Sequence, residues 1–228
     1  MLVCHAARHV TTDAAAVQRL AAGLEEAQLR GFSSPAGFDS ELHFVDLAQP
    51  ERTAQGLLVV DSLNFCFWPD SELEYEHLAG GVKATLLADP RALDAGRLAA
   101  IDGPGVRALL RWPRPLPLEE RARLLREVGA ALLDRYGGQA ANMVRAAEGS
   151  APRLVGLLAA ACPGFRDHAI GPGGRQCFFY KRAQIFVGDL WGAFGGEGLG
   201  AFRDIHEVRR EGVGWRVVGR VVHPLPIY

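Results

Sequence analysis

Between residues 118 and 136 apolar side chains return at every third or fourth position: Leu118, Ala122, Leu125, Val128 and Leu132. That period puts them on one stripe of an α-helix, with the intervening arginines predicted to face water. Pro117 suits its first turn, Glu119 and Glu120 suit its positive end, and Gly137-Gly138 stops it. The same pattern predicts a helix from a Thr11/Thr12 cap to Gln28 or Leu29, carried by Val17, Leu20 and Leu24 and ended by Gly31. Helices are also predicted over 139–148 and 152–162, the second closed by Pro163. Shorter ones fall between 78 and 97, broken at Pro90 and Gly96. Residues 32–49 read as irregular, and Gly171-Pro-Gly-Gly174 as a turn. Few stretches alternate with period two, which argues against an all-β or doubly wound sheet. The prediction is a mainly α, single helical domain over residues 1–228, without internal repeats.

The stretch Cys177-Phe-Phe-Tyr-Lys-Arg-Ala-Gln-Ile-Phe-Val-Gly-Asp-Leu-Trp191 changes that picture from architecture to chemistry. Read as a helix, it places Tyr180, Gln184, Val187 and Trp191 on one face and Arg182, Phe186 and Asp189 on an adjacent one. A helix apolar almost all round is buried, and buried charges need partners. Either Arg182 and Asp189 form a structural pair two turns apart, or Lys181, Arg182 and Asp189 line a polar pocket wall. The second is the expectation adopted, because charges enter apolar helices mainly as pairs or as functional groups.

A second mixed segment, Asp61-Ser-Leu-Asn-Phe-Cys-Phe-Trp-Pro-Asp70, follows the apolar run Leu57-Leu-Val-Val60. Phe65, Phe67 and Trp68 interleave with Asp61 and Asn64. Aromatic faces stack on flat heterocycles, and Asn or Asp beside them can read a base edge or a ribose hydroxyl. The alternative is a hydrophobic element whose polar residues only cap it.

Together these segments carry a resemblance. Asp61-Ser-Leu-Asn-Phe-Cys-Phe-Trp-Pro-Asp70, Glu74-Tyr-Glu-His-Leu-Ala79, Pro163-Gly-Phe-Arg-Asp167, Tyr180-Lys-Arg-Ala-Gln184 and Gly200-Ala-Phe-Arg-Asp-Ile205 occur in the order seen in the queuosine salvage family. The family-like region runs from about residue 43 to 205. The resemblance implies a helical fold similar to the helix-hairpin-helix DNA glycosylases. It also implies a hydrolase that cleaves the N-glycosidic bond of queuosine 5′-phosphate and releases queuine for salvage into tRNA modification.

Composition is compatible with that reading and removes others. The chain has 228 residues, 49% hydrophobic and 22% charged, with a net charge of −1. The electrostatic footprint of a duplex-binding protein is missing, whereas a small anionic nucleotide held by a few local cations fits, so no direct nucleic-acid partner is expected. No run approaches a membrane span, and Met1-Leu-Val-Cys-His has neither a basic n-region nor an h-region, so no membrane partner is expected. Cys4, Cys66, Cys162 and Cys177 lack C-x-x-C spacing, which gives no zinc or disulfide framework and a cytoplasmic expectation. No metal and no cofactor are expected. His5 and His9, beside Cys4, lack a third ligand. Gly195-Gly-Glu-Gly-Leu-Gly200 lacks the strand before it and the Lys-Ser/Thr after it that a phosphate loop needs. Glu72, Glu74 and Glu76 before His77 read as an exposed face.

N-glycosidic hydrolysis passes through an oxocarbenium-like sugar, so it needs a carboxylate near the anomeric carbon and groups that ease departure of the base. The resemblance selects Asp204 as the catalytic carboxylate, in its Phe-x-Asp-Ile motif; a helix N-cap is the alternative role. Asp61, Asn64, Phe65, Phe67, Trp68 and His43 are substrate-binding candidates. Lys181 and Arg182 are candidates for the 5′-phosphate or for pairing with Asp189. After Asp204-Ile205 the family continues with a Thr-Met-Phe-Ala-Asp-Tyr-Arg-like motif, whereas this chain reads His206-Glu-Val-Arg-Arg-Glu-Gly-Val-Gly-Trp215. The tail, residues 206–228, is therefore atypical. A non-catalytic 7-deazaguanine nucleotide-binding protein, with its activity lost along with that segment, is the alternative function.

Overall fold

Eleven consecutive residues, Thr53 through Leu63, are buried along one helix, α2 (Pro50–Leu63), around which the other helices are arranged. A helix buried on every side must be apolar on every side, and Leu57-Leu-Val-Val60 meets that demand. Its polar members need partners. Gln55 donates to the Leu93 carbonyl and accepts from the Ala140 amide, and Ser62 donates to the Val59 carbonyl. Asp61 is the exception.

This architecture comes from a computed structural model that describes residues 11–25, 34–65, 67, 72–112, 117–205, 208–211 and 214–217. Trp68, Cys66, Cys4, His5 and His9 lie outside the described residues, as does most of the tail.

Preceding α2 is α1 (Ala14–Gly23), capped by the Asp13 carboxylate on the amides of Ala15 and Ala16. The cap is thus Asp13 rather than Thr11 or Thr12, because its carboxylate reaches two orphan amides at once. The helix stops at Gly23, short of residue 28, at the poorest helix former in the run. After α2 come α3 (Tyr75–Ala88), α4 (Ala95–Ala99), α5 (Gly103–Leu110), α6 (Glu119–Arg135), α7 (Ala140–Ala146) and α8 (Ala151–Ala161). Gly96 lies inside α4 and breaks nothing. A hairpin of β1 (His168–Ile170) and β2 (Gln176–Phe178), turning at Pro172–Gly174, leads into α9 (Lys181–Ala193). A second hairpin, β3 (Val208–Glu211) with β4 (Gly214–Val217), follows. The protein is mainly helical, and no helix among the described residues is long and apolar enough to cross a membrane.

Two sequence expectations are corrected here. The residues before Lys181 are not helical: 176–178 form a strand, and Tyr180 adopts the left-handed conformation (φ 50°). The amides of Phe179 and Tyr180 donate to the Asp167 carbonyl, which turns the chain before α9 begins. Nor do all the arginines of α6 face water. Arg121 is 3% exposed, donates to the carbonyls of Pro117 and Phe65, and lies 4.9 Å from the Phe65 ring centroid. A guanidinium enters the core when carbonyls and a π-face replace its water.

The core helices touch closely. A Cβ on Gly129 of α6 would strike the backbone of Ala95, Leu98 and Ala99 in and beside α4, and one on Gly81 of α3 would strike the Leu110 backbone of α5. Glycine allows that approach.

Candidate active site

Helices α2 and α9 pack together, and each brings a carboxylate to the contact: Asp61 near the end of α2 and Asp189 in the third turn of α9. Asp61 has zero exposure, and neither of its oxygens has a hydrogen-bond partner. Burial pushes its carboxyl well above the usual range, and the charge of Asp189 pushes it further. The neighbouring Asn64 amide and the Arg182 charge pull the other way. Asn64 acts on Asp61 from the C-cap of α2 without completing a hydrogen bond to it in this geometry. Burial alone raises Asp189 to about 7. Burial of both groups and the effect of the Asp189 charge on Asp61 therefore favour a protonated form of the pair.

His43 and Tyr75 adjoin this pair. His43 is 6% exposed, with Nδ1 2.8 Å from the Asp39 carbonyl oxygen and Nε2 2.6 Å from the Tyr75 hydroxyl. Burial lowers its pKa, which keeps the ring neutral. The Tyr75 phenol is pushed up by burial first, then by the charges of Asp61 and Asp189. Phe38 packs on the His43 ring at 4.7 Å between centroids. The fit depends on Gly192 of α9, where a Cβ would stand 2.6 Å from the Phe38 Cβ.

Arg182 does not pair with Asp189. Its Nε and backbone amide both donate to the Asp167 carboxylate at 2.8 Å, its Nη1 donates to the Ser62 carbonyl at 2.8 Å, and its Nη2 donates to the Gly164 carbonyl. The 3₁₀ turn Pro163–Phe165 delivers Asp167 to the start of α9, within reach of a residue one position into the helix. Phe65 lies under two cations, Arg121 at 4.9 Å and Arg182 at 5.1 Å. Phe67 lines a small apolar cavity with Leu63, Leu73, Trp112 and Arg121, away from the paired carboxylates. Lys181 is exposed at the first residue of α9.

Asp204 stands elsewhere. One of its oxygens accepts from Ser150 Oγ at 2.6 Å and the other from the Ala151 amide at 2.7 Å, so the carboxylate closes the N-terminus of α8. The helix it caps lies before it in the chain, and the chain after it forms the β3–β4 hairpin.

Residues 42–210 match the family described as "Queuosine salvage protein". The chain belongs to that family. A Dictyostelium discoideum protein named queuosine 5′-phosphate N-glycosylase/hydrolase is 49% identical over 160 residues, covering 69% of this chain and 49% of that protein. A protein of the same name from Sphaerobacter thermophilus is 37% identical over 217 residues, 90% of this chain and 65% of that protein. The Bos taurus protein of that name is 37% identical over 175 residues, 69% of this chain and 51% of its own length. The chain thus spans about half to two thirds of the length of these curated relatives.

Of the candidate residues read from the sequence, the fold brings Asp61, Asn64, Asp189 and His43 around Tyr75. Asp204 instead caps α8, Phe67 lines the apolar cavity and Lys181 is exposed. Two residues of the cluster, Tyr75 and Phe38, were missed. Tyr75 lies in the Glu74-Tyr-Glu-His-Leu-Ala79 motif and shares a helix face with the buried Leu78, Ala79 and Val82, the one signal that separated it from its exposed glutamate neighbours.

Proposed function

We propose that this family member is an N-glycosyl hydrolase acting on queuosine 5′-phosphate, as the names of its relatives say of them, and that the base it releases is queuine. The observation that supports this most directly is the buried Asp61 with two unpartnered oxygens beside Asp189. A structural carboxylate acquires partners; one left without any in a helical core costs stability and fits a functional task. Departure of a base is eased by a group that still holds a proton at neutral pH, and burial next to a like charge produces one.

In this reading the Asp61–Asp189 pair protonates the departing base, and water completes the hydrolysis at the anomeric carbon. Asn64, beside Asp61 at the C-cap of α2, is assigned to reading the nucleotide. Lys181, roughly 12 Å along α9 from Asp189 at the rise of an α-helix, is the cation assigned to the 5′-phosphate. Asp204 holds the last loop to α8 rather than serving as the catalytic carboxylate.

The test is to incubate the purified chain with queuosine 5′-phosphate and follow free queuine by mass spectrometry, with Asp61→Asn as control. Release by the parent and none by the variant is expected. Ligand-induced thermal stabilisation without release would favour the non-catalytic binding protein instead.

A further inference from the structure

The partners of His43 fix which ring nitrogen holds its hydrogen. Asp39 offers a carbonyl oxygen, which can only accept, so Nδ1 is the N–H. Nε2 is then a lone pair, and at 2.6 Å it accepts from the Tyr75 hydroxyl. The phenol has one hydrogen, and it points at His43. A tyrosine beside two carboxylates would otherwise donate to one of them and stabilise its charge. Here the carboxylates of Asp61 and Asp189 act on Tyr75 but receive nothing from it, and both oxygens of Asp61 remain without a donor.

Among the described residues, further charged groups act on this cluster. Arg182 of α9 favours ionised Asp61 from a distance, with its own hydrogens committed elsewhere. Glu76 of α3 acts on Tyr75, while Asp39 and Lys83 act on His43 with opposite signs.

Resting on the hydrolase reading above, we propose that His43 is a positioning residue: by holding the Tyr75 phenol hydrogen on its Nε2, it denies the Asp61–Asp189 pair that donor and leaves the pair a proton of its own, the one delivered to the departing base. In that step the C1′–N bond breaks with its electron pair on the base, and the carboxyl proton goes to the base. Water then adds hydroxide to the anomeric carbon, and its remaining proton returns to the carboxylate. Nothing is oxidised or reduced.

The relay is tested by releasing the phenol hydrogen. In His43→Leu, or His43→Phe if that variant does not fold, Tyr75 is free to turn and donate to the carboxylates. The infrared band of a protonated carboxyl, present in the parent protein at pH 7, should then titrate away roughly one pH unit lower. The alkaline limb of kcat/KM should move with it. Tyr75→Phe, which offers no donor, should leave both near their original pH, and His43→Leu/Tyr75→Phe should restore them. Three results overturn the relay: no protonated-carboxyl band in the parent at pH 7, an unmoved band and limb in the His43 variant, or a shift that survives in the double variant. If the parent releases no base, the hydrolase reading fails on its own, and the infrared titration still decides the relay.

Discussion

At the start of α8, Asp204 gives one oxygen to Ser150 and the other to the Ala151 amide; near the end of α2, Asp61 gives neither oxygen to anything. Both are aspartates within family-like motifs on one helical framework. The difference is what surrounds them. A helix N-terminus supplies donors and a favourable dipole, so both oxygens of Asp204 are satisfied and it binds two parts of the chain together. The α2–α9 contact supplies apolar side chains and a second carboxylate, so the charged forms of Asp61 and Asp189 are disfavoured. One environment makes an aspartate a clamp and the other leaves it buried without a partner.

Asp61→Asn is the most severe test of that contrast. It keeps the shape and removes the proton, so turnover should fall about 10³-fold, near 4 kcal/mol of barrier, with the fold retained. Steady-state rates beside circular dichroism check it; near-parental rates would return the catalytic role to Asp204. Arg182→Met comes next. It strips Asp167, Ser62 and Gly164 of their shared donor, and a loss of about 3 kcal/mol in denaturant-unfolding stability is expected.

Asp189→Asn sharpens the comparison through pH. The folded chain holds the Asp189 proton up to about 7, against an ordinary 3.8. The stability this confers is full below about pH 4 and is lost as pH rises through about 7. The Asn variant lacks that loss. Its melting temperature should exceed the parent's at pH 8, by a margin worth up to roughly 4 kcal/mol, and the margin should close below pH 4. Asp204→Asn should show the smallest effect: about 1 kcal/mol of stability and turnover within a few-fold, since Asn caps nearly as well as Asp. A collapse of turnover in a well-folded Asp204→Asn protein would reverse the assignment of the two aspartates.

How far the sequence reached follows from the range of each interaction. The helix predicted over residues 118–136 appears as Glu119–Arg135, because its stripe and its stop signals are local. Arg121, on that same helix, escaped notice because Phe65 and Pro117, which supply its carbonyls, meet it only after folding. Asp61, Asn64, His43 and Asp189 were legible as polar residues in apolar company. Their grouping was not, since it needs the packing of α2 against α9 and the return of the chain through Asp39 and His43. Arg182 illustrates the limit: helical spacing offered Asp189 as its partner, but the Pro163–Phe165 turn supplied Asp167 at better geometry.

The missing side chain at Gly192, one turn beyond Asp189 on α9, gives the site a control point that carries no charge of its own. A methyl group there would act as a shim, displacing Phe38 and tilting the imidazole that rests on it. Volume alone, added one carbon at a time at that position, would therefore shift the ring geometry at His43 while every ionisable residue of the chain stays the same.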